Sequence, residues 1–349
     1  MDPQRTICIF IGSGFSKAIF GQKLQNEFTD DLLAFPQARE FLSDELTQLL
    51  EKIKDIELVM SHFHNLAYSD QSKHNPKLKQ HIRDILLLRT AIAVYFRDKF
   101  YNLSSEYDNY NKPLIQKFFE QNHITRDNVF FVTTNYDLAI ERMIEDSFGE
   151  TEFYYPSKAF SNQPSTDRAI PIFKLHGSIN WMENRGPSSK EGFSNSYRNN
   201  LRIDTHILKV LKTAPLPESR QFSLQHNNGS KYTPILIPFL FQKPEWLKQN
   251  EGWKRLFYTT WELTRCYMGK AEAIYFWGYS LPPADHYLFT LLLNIIAPRT
   301  KSCIIVDWSP DRPLSTTLVK LLRYCYEGKK DCYREYKNGL IEFLKTNGS

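Results

Sequence analysis

Asn135 and Asp137 are the first residues of the sequence whose types and positions suggest chemistry. They follow the apolar run Val129–Val132, and a helical pattern begins directly after them. Such a run is typical of a parallel strand that is buried on both faces, and open α/β sheets bind ligands just beyond the carboxyl ends of their strands. The start of the following helix adds backbone N–H donors to the same corner. The stretch therefore predicts a ligand-binding corner around Asn135.

His176 is a second candidate, because it directly follows the predicted strand Ile170–Leu175 and precedes a glycine. An unperturbed imidazole has a pKa of about 6.5, so near neutral pH it is mostly neutral and can accept a proton. A single histidine at a strand end is more often structural than catalytic. The amide of Asn135, which both donates and accepts hydrogen bonds, stands at another strand end and favours the catalytic interpretation.

A glycine-containing turn follows the first predicted strand, Thr6–Ile11. It reads GSGFS over Gly12–Ser16, and a helix is predicted from Lys17 onward. Glycines allow a tight turn and a close approach of the backbone to a ligand, and the helix start can bind a phosphate. The turn lacks the Gly-Lys-Ser/Thr of a Walker loop and the third glycine of G-x-G-x-x-G. It is compatible with a phosphate site and with a tight turn that binds no ligand.

Two more polar strand ends lie in the second half of the chain. The predicted strand Ala271–Trp277 opens into GYSL at Gly278–Leu281, and the predicted strand Ser302–Val306 ends at Asp307. An acidic residue at such an end can hydrogen-bond a ribose hydroxyl, as in dinucleotide-binding folds. A loop or helix-capping carboxylate is an equally good interpretation of Asp307 alone.

The alternation of apolar strands with helical patterns predicts an α/β fold, with a Rossmann-like parallel sheet flanked by helices. We expect one domain over residues 1–349, with a large helical insertion at 35–123 and a polar lid or interaction insertion at 183–232. The predicted helices are Gln37–Ile53, Ile56–Ala67, Pro76–Tyr101, Pro113–Asn122, Leu138–Ser147, Gly252–Lys270, His286–Ala297, Leu314–Tyr326 and Gly339–Lys345, with a candidate helix at Asp204–Thr213. Short strands are expected at Glu152–Tyr155 and Ile235–Pro238, and polar breaks at Ser69–Asn75 and Ser104–Lys112.

The composition favours a soluble cytoplasmic protein with a packed core. Hydrophobic residues make up 42% of the 349 residues, and the formal net charge is +5 without a dominant Lys/Arg block, which favours nucleic acid only weakly. The five cysteines form no C-x-x-C pair, so a zinc module is not expected. We expect the cysteines to be reduced thiols. No apolar run reaches the length of a membrane span, and the chain opens directly on a predicted strand.

Four motifs in order carry a resemblance to a known family. GSGFS, TTNYD at Thr133–Asp137, KLHGS at Lys174–Ser178 and GYSL together resemble the sirtuin-like family, and most closely its bacterial branch that hydrolyses NAD. The resemblance extends from Gly12 to about Asp307. It implies NAD+ as the substrate, with no metal.

The resemblance also implies roles for individual residues. The NAD-binding set would be Gly12, Ser13, Gly14 and Ser16 at the pyrophosphate, Phe15 and Thr134 nearby, and Gly278, Ser280 and Asp307 at the adenosine half. Asn135 and Asp137 would orient the nicotinamide ribose and the attacking water. His176 would be the general base or would orient a hydroxyl.

Departures from the deacetylating sirtuins argue against peptide deacetylation. The four-cysteine zinc module has no counterpart, Gly21–Glu27 replaces their Pro-Asp-Phe-Arg sequence, and Thr134 replaces the glutamine of their Thr-Gln-Asn-Ile-Asp motif. The number of positions between Asn135 and His176 is also larger than expected in a deacetylase and closer to that of the hydrolase branch. The expected function is therefore NAD+ hydrolysis to nicotinamide and ADP-ribose.

By family analogy the hydrolase would serve antiphage defence, depleting cellular NAD in an abortive infection. Because an unregulated hydrolase would kill its host, we expect activation by a homo-oligomer or by a partner such as a HerA-type ATPase. The alternatives are an NAD- or ADP-ribose-binding regulatory module without turnover, an NAD-dependent protein deacylase, and a nuclease or DNA-binding subunit. A nuclease would need a cluster of carboxylates that can bind a metal, and the sequence suggests no such cluster.

Overall fold

A seven-stranded parallel sheet forms the centre of the protein, which confirms the predicted Rossmann-like α/β class. The computed structural model describes residues 5–22, 25–68, 77–101, 107–149, 153–157, 160, 169–185, 201–203, 231–237, 251–282, 285–298, 302–307 and 316–347. The strands are β1 (Ile7–Ile11), β2 (Val129–Thr133), β3 (Phe153–Tyr154), β4 (Ile170–Lys174), β5 (Gly177–Arg185), β6 (Leu201–Ile203), β7 (Lys231–Leu236), β8 (Ala273–Trp277), β9 (Ser302–Val306) and β10 (Tyr333–Tyr336). Their order in the large sheet is β10-β9-β8-β1-β2-β4-β3.

The topological switch point of the sheet lies between β1 and β8. The chain continues from β1 to β2 on one side and later returns to β8 on the other, and Ile11 pairs with Trp277 at the ends of these two strands. Ligands of open α/β sheets bind in the crevice outside such a point. The order of the strands therefore brings the Gly12 and Gly278 turns side by side.

Helices cover both faces of this sheet. They are α1 (Ser13–Phe20), α2 (Gln25–Ala34), α3 (Pro36–Arg39), α4 (Asp44–Ile53), α5 (Ile56–Tyr68), α6 (Leu78–Tyr101), α7 (Lys112–Gln121), α8 (Ala139–Phe148), α9 (Glu251–Lys270), α10 (His286–Ile296), α11 (Thr317–Cys325) and α12 (Leu340–Asn347). Alternate residues of β1 enter opposite cores: Ile9 packs into the one that includes α2 to α8, and Phe10 into the one that includes α10 and α11. This period of two follows from the pleat of a strand that is buried on both faces.

Several boundaries differ from the prediction. The first helix begins at Ser13 rather than Lys17, directly after the strand. The predicted helix Gln37–Ile53 is two helices, because Pro36 starts α3 and the Ser43 hydroxyl caps a new start at α4. Within the polar break predicted at Ser104–Lys112, residues Tyr107–Asn111 form a π-helical turn.

The insertion predicted at 183–232 contains strand residues at the positions that the structure describes. β5 pairs antiparallel with β6 and β7 in a small second sheet, which includes Arg185, Leu201 and Lys231. Gly177, where β5 begins, has φ +90, and a Cβ there would lie 2.0 Å from the Ile235 carbonyl oxygen. The predicted helix Asp204–Thr213 and most of this insertion lie outside the described residues, so a lid remains a prediction.

None of the helices within the described ranges has both the length and the apolar character that a membrane crossing requires.

Candidate functional site

Ser16, Asn135 and Asp137 meet at the carboxyl edge of the sheet. The Ser16 hydroxyl donates to Asp137 Oδ2 at 2.8 Å and accepts from the Asn135 side-chain amide at 3.1 Å. Ser16 lies on α1, and the other two lie in the loop that follows β2. The contact joins residues more than a hundred positions apart, because β1 and β2 are neighbours in the sheet. The predicted corner is thus one hydrogen-bonded group.

The loop after β2 is held in place by its own polar groups. Thr133 Oγ1 donates to the Ile11 carbonyl oxygen at 2.9 Å and accepts from the Asn135 N–H at 3.0 Å. Asp137 Oδ1 accepts from the Ala139 N–H at 3.0 Å, at the start of α8. A carboxylate that accepts a backbone N–H at a helix start is fixed in direction and favoured by the helix dipole. The backbone therefore sets the orientation of both Asn135 and Asp137.

Lys174 supplies positive charge underneath this corner. Its ammonium donates to the main-chain oxygen of Asp137 and, at 2.9 Å, to the Ser178 hydroxyl, and it pairs with Glu141 at 2.9 Å. Burial raises the pKa of the Asp137 carboxyl, while the Lys174 charge and the Ala139 N–H oppose that shift. Desolvation disfavours the charged carboxylate, and the nearby ammonium favours it.

His176 lies at the next strand end and is fully buried. Its Nε2 is 2.9 Å from Asp285 Oδ2, and its Nδ1 is 3.3 Å from the Ile237 carbonyl oxygen. Asp285 also caps α10, where its Oδ1 accepts from the Leu288 N–H at 3.4 Å. Asp285 is thus a site-forming residue that the sequence analysis missed. An aspartate directly before a helical pattern signals an N-cap, but nothing in that signal points to a histidine more than a hundred residues away.

The Gly12 and Gly278 turns pack directly against each other at the switch point. The Gly14 N–H donates to the Gly278 carbonyl oxygen at 3.0 Å, and a Cβ on Gly12 would lie 2.5 Å from that same oxygen. A Cβ on Gly278 would lie 2.3 Å from the Phe15 nitrogen. Contact between the two loops is therefore sufficient reason for these glycines.

The structure places the remaining predicted residues at different depths. Phe15 is fully buried and stacks on Trp277 with a centroid separation of 5.9 Å, so its ring belongs to the core. The Ser13 side chain is exposed at the start of α1, and Thr134 is buried beside Asn135.

On the other side of the switch point, the backbone holds the predicted adenosine-side residues. The Gly278 N–H donates to the Val306 carbonyl oxygen at 2.9 Å, and the Ser280 carbonyl accepts from the Leu318 N–H at 3.4 Å. Asp307 is 8% exposed, directly after β9. These residues flank the carboxyl ends of β8 and β9, where these hydrogen bonds join Gly278 and Ser280 to strand and helix backbone.

Metal-ligating residues do not cluster in the part of the chain that the structure describes: no group of three or more His, Cys, Asp and Glu side chains there is arranged to hold an ion. All five cysteines are described, and all are free thiols. The expectation of a metal-free reaction remains a prediction.

The corner suits a ligand that has hydroxyl groups and carries positive charge. Asn135 is half-buried, and the Ser16 hydroxyl links its side-chain amide to the buried Asp137 carboxyl. An amide and a carboxylate together recognise sugar hydroxyls and favour a developing cation.

Residues 129–217 match the family model described as SIR2-like domain. The match covers about a quarter of the chain and includes Asn135, Asp137 and His176. It supports a sirtuin-like family and an NAD-related activity in general. No curated protein matches the sequence significantly.

Proposed function

We propose that the protein is an NAD+ hydrolase that cleaves the nicotinamide–ribose bond and releases nicotinamide and ADP-ribose. The observation that carries the proposal is the hydrogen-bonded group of Ser16, Asn135 and Asp137 at the carboxyl edge of a parallel sheet. Two of these residues lie within the SIR2-like segment, and so does His176. The fold, the position of the corner and the sequence match thus support the same substrate class.

The chemistry requires little more than charge stabilisation and a placed water. The C1′–N bond breaks, its electron pair goes to nicotinamide, and nicotinamide leaves as a neutral molecule. Water adds to the ribosyl cation and then loses one proton. In this mechanism Asn135 orients the ribose and the water, the Asp137 carboxylate favours the cation, and His176 takes the proton. A positioned general base contributes about 10²- to 10⁴-fold to such a step.

The biological role is proposed by analogy with the family branch that the motifs resemble. Depletion of NAD would halt growth of an infected cell, as in abortive infection. Activity would then depend on assembly, either of this chain as a homo-oligomer or with a partner such as a HerA-type ATPase. Light scattering of the purified protein, alone and with a candidate partner, tests both forms of assembly. A monomer with full activity would contradict them.

One observation favours a second candidate, an NAD- or ADP-ribose-binding module without turnover. His176 is fully buried, and both of its ring nitrogens lie against oxygen acceptors of the protein. A module that binds the nucleotide and regulates a partner needs no general base. Binding without products would establish this alternative.

The test is to incubate the purified protein with NAD+ and to separate the products by chromatography. We expect nicotinamide and ADP-ribose from the wild type, and loss of turnover in Asn135→Ala and His176→Ala with the fold retained by circular dichroism. The matched controls are His62→Ala and Asn338→Ala, which alter exposed residues of the same types outside the corner. Wild-type turnover in either site variant would overturn the assignment.

A further inference from the structure

We propose that Asp285 is a positioning residue that holds the Nε2–H of His176, so that Nδ1 is the nitrogen that accepts the proton during hydrolysis. This inference rests on the proposed function for its kinetic consequence. The structural part, which concerns the protonation pattern of His176, can be tested without any activity.

The hydrogen bond between the two side chains has a defined direction. An ionised carboxylate can accept hydrogen bonds and cannot donate one, so His176 Nε2 must donate across the 2.9 Å to Asp285 Oδ2. Asp285 is 1% exposed, and its other oxygen accepts the Leu288 N–H. The helix start thus fixes the carboxylate, and the carboxylate fixes the imidazole. A neutral His176 held in this way carries its proton on Nε2 and its lone pair on Nδ1.

A backbone carbonyl lies against the other ring nitrogen, Nδ1. The Ile237 carbonyl oxygen is 3.3 Å away, and it already accepts the Tyr136 hydroxyl at 2.5 Å. A carbonyl accepts and never donates, so Nδ1 is also protonated in this arrangement and His176 is an imidazolium. When a hydroxyl or water of the bound substrate replaces the carbonyl, the imidazolium first releases its Nδ1 proton to solvent, and the neutral ring that remains can act as a base. The proton that water loses then goes to Nδ1, and from there to solvent.

The charges around the pair agree with an imidazolium. Within the described residues, the ionisable groups that face this region include Asp285 at the cap of α10, Tyr136 after β2, Glu57 on α5, Arg89 on α6 with His64 of α5 beside it, and Tyr279 after β8. Burial raises the pKa of Tyr136 and of Tyr279, so both phenols stay neutral. Asp285 and Glu57 are both buried carboxylic acids, and unbalanced charge is costly in such a region, so a positive charge on His176 would offset the charge of an ionised Asp285.

The structural test is the ¹⁵N NMR spectrum of histidine-labelled protein over a pH series, with His176 assigned by its loss in His176→Ala. In the wild type we expect Nε2 to remain protonated after the ring becomes neutral, and Nδ1 to show the shift of an unprotonated nitrogen. In Asp285→Asn the amide can donate to Nε2, so we expect a change to the Nδ1–H tautomer. Asp285→Ser keeps a helix-capping hydroxyl and loses the carboxylate, so we expect mixed tautomers.

The kinetic test uses the same variants with NAD+. We expect kcat of Asp285→Asn to fall by about 10²- to 10⁴-fold, the range of a general base, with KM nearly unchanged. The acid limb of the residual pH–rate profile should move to lower pH, because the imidazolium loses its anionic partner. Thr316→Ala removes the cap of another helix, α11, and controls for disturbance at a helix start, so its kcat should equal that of the wild type.

The positioning role of Asp285 and the role of Nδ1 in hydrolysis can be contradicted by different results. An unchanged tautomer in Asp285→Asn would overturn the positioning role, whatever the activity. A changed tautomer together with wild-type kcat would overturn the role of Nδ1 as the proton acceptor. If the wild type gives no products under any condition while the NMR results are as expected, the proposed function fails and the histidine–aspartate arrangement stands as a structural feature.

Discussion

Lys174 and Glu141 form an ion pair that is entirely buried beneath the Asn135 corner, with Nζ and Oε1 2.9 Å apart. Tyr155 donates to the same Glu141 oxygen at 2.6 Å, and burial raises the pKa of Tyr155, so its hydroxyl stays a donor. Lys174 also bonds the main-chain oxygen of Asp137. The pair therefore joins β4 to α8 directly behind the residues proposed to bind the ribose.

The first prediction is that Lys174→Met strongly destabilises the protein. The substitution leaves the Glu141 carboxylate buried without its cation, and breaking a buried pair in this way typically costs about 3–5 kcal/mol. Urea denaturation followed by circular dichroism measures the loss. Adding Glu141→Leu to Lys174→Met removes the isolated charge, so the double variant should regain much of the lost stability. The exposed pair of Arg265 and Glu262 provides the control, because Arg265→Met should change stability little. A small effect of Lys174→Met would contradict this prediction.

The second prediction concerns the pH dependence of stability at Asp137. Burial raises the pKa of this carboxyl above its ordinary value of 3.8, so the carboxyl keeps its proton to a higher pH in the folded state than in the unfolded state. The resulting stabilisation is fully present below that ordinary value and is lost as the pH rises through the raised pKa. Asp137→Asn resembles the protonated form at every pH. We therefore expect the variant to gain stability relative to the wild type as the pH increases, with a constant difference once the carboxyl has ionised.

Urea midpoints of the two proteins between about pH 4 and 8 measure this difference. In a Lys174→Met background, the opposing charge is absent and the rise should extend to higher pH. A difference that shrinks as the pH increases would show that the folded state instead favours the carboxylate.

The parts of the fold that the sequence predicts well are the fully buried strands. Val129–Thr133 and Ser302–Val306 were identifiable because strands covered on both faces need continuous apolar runs. β10 was missed because its residues are partly exposed or exposed at the edge of the sheet, so no apolar run marks it. α2 was missed because its pattern is weakly amphipathic. It is a helix whose Phe28 packs on Phe96 of α6, a contact that no local pattern reveals.

The candidate site also contains one part that the sequence predicts and another that it does not. The rule that ligand residues follow parallel strands was enough to place Asn135 and Asp137 at one corner, because it depends on strand ends alone. The resemblance assigned Ser16 to the pyrophosphate, and its hydrogen bonds to Asn135 and Asp137 were not predicted. The pairing of His176 with Asp285 depends on how α10 packs against the end of β4, and sequence patterns carry no information on that packing. The stacking of Phe15 on Trp277 could not be predicted either, and a position of Phe15 beside NAD stays a prediction.

The third prediction is that Ser16→Ala reduces NAD+ turnover by about tenfold or more while the protein still folds. The hydroxyl links Asn135 to Asp137, and buried groups that lose such a partner typically cost about 1–3 kcal/mol. Thr264→Val is the matched control, because it also removes a buried hydroxyl, one that donates to the Thr260 carbonyl oxygen at 2.7 Å within α9. Steady-state kinetics and thermal denaturation of both variants separate loss of the site from loss of stability. Equal turnover in the two variants would show that the Ser16 link has no part in the site.

The fourth prediction separates two reasons for glycine at a left-handed position. Gly278 has φ +60 and lies where a Cβ would meet the Phe15 nitrogen at 2.3 Å, whereas Gly21 has φ +66 with no atom within 4 Å of its Cβ position. Alanine at either position incurs the left-handed penalty of about 1–2 kcal/mol. Gly278→Ala must in addition push the two loops apart, which typically costs about 1–3 kcal/mol more. Thermal denaturation of the two variants should therefore rank Gly278→Ala clearly below Gly21→Ala. Because a backbone nitrogen cannot rotate away as a side chain can, equal stabilities would mean that the loops at the switch point are not packed together in solution.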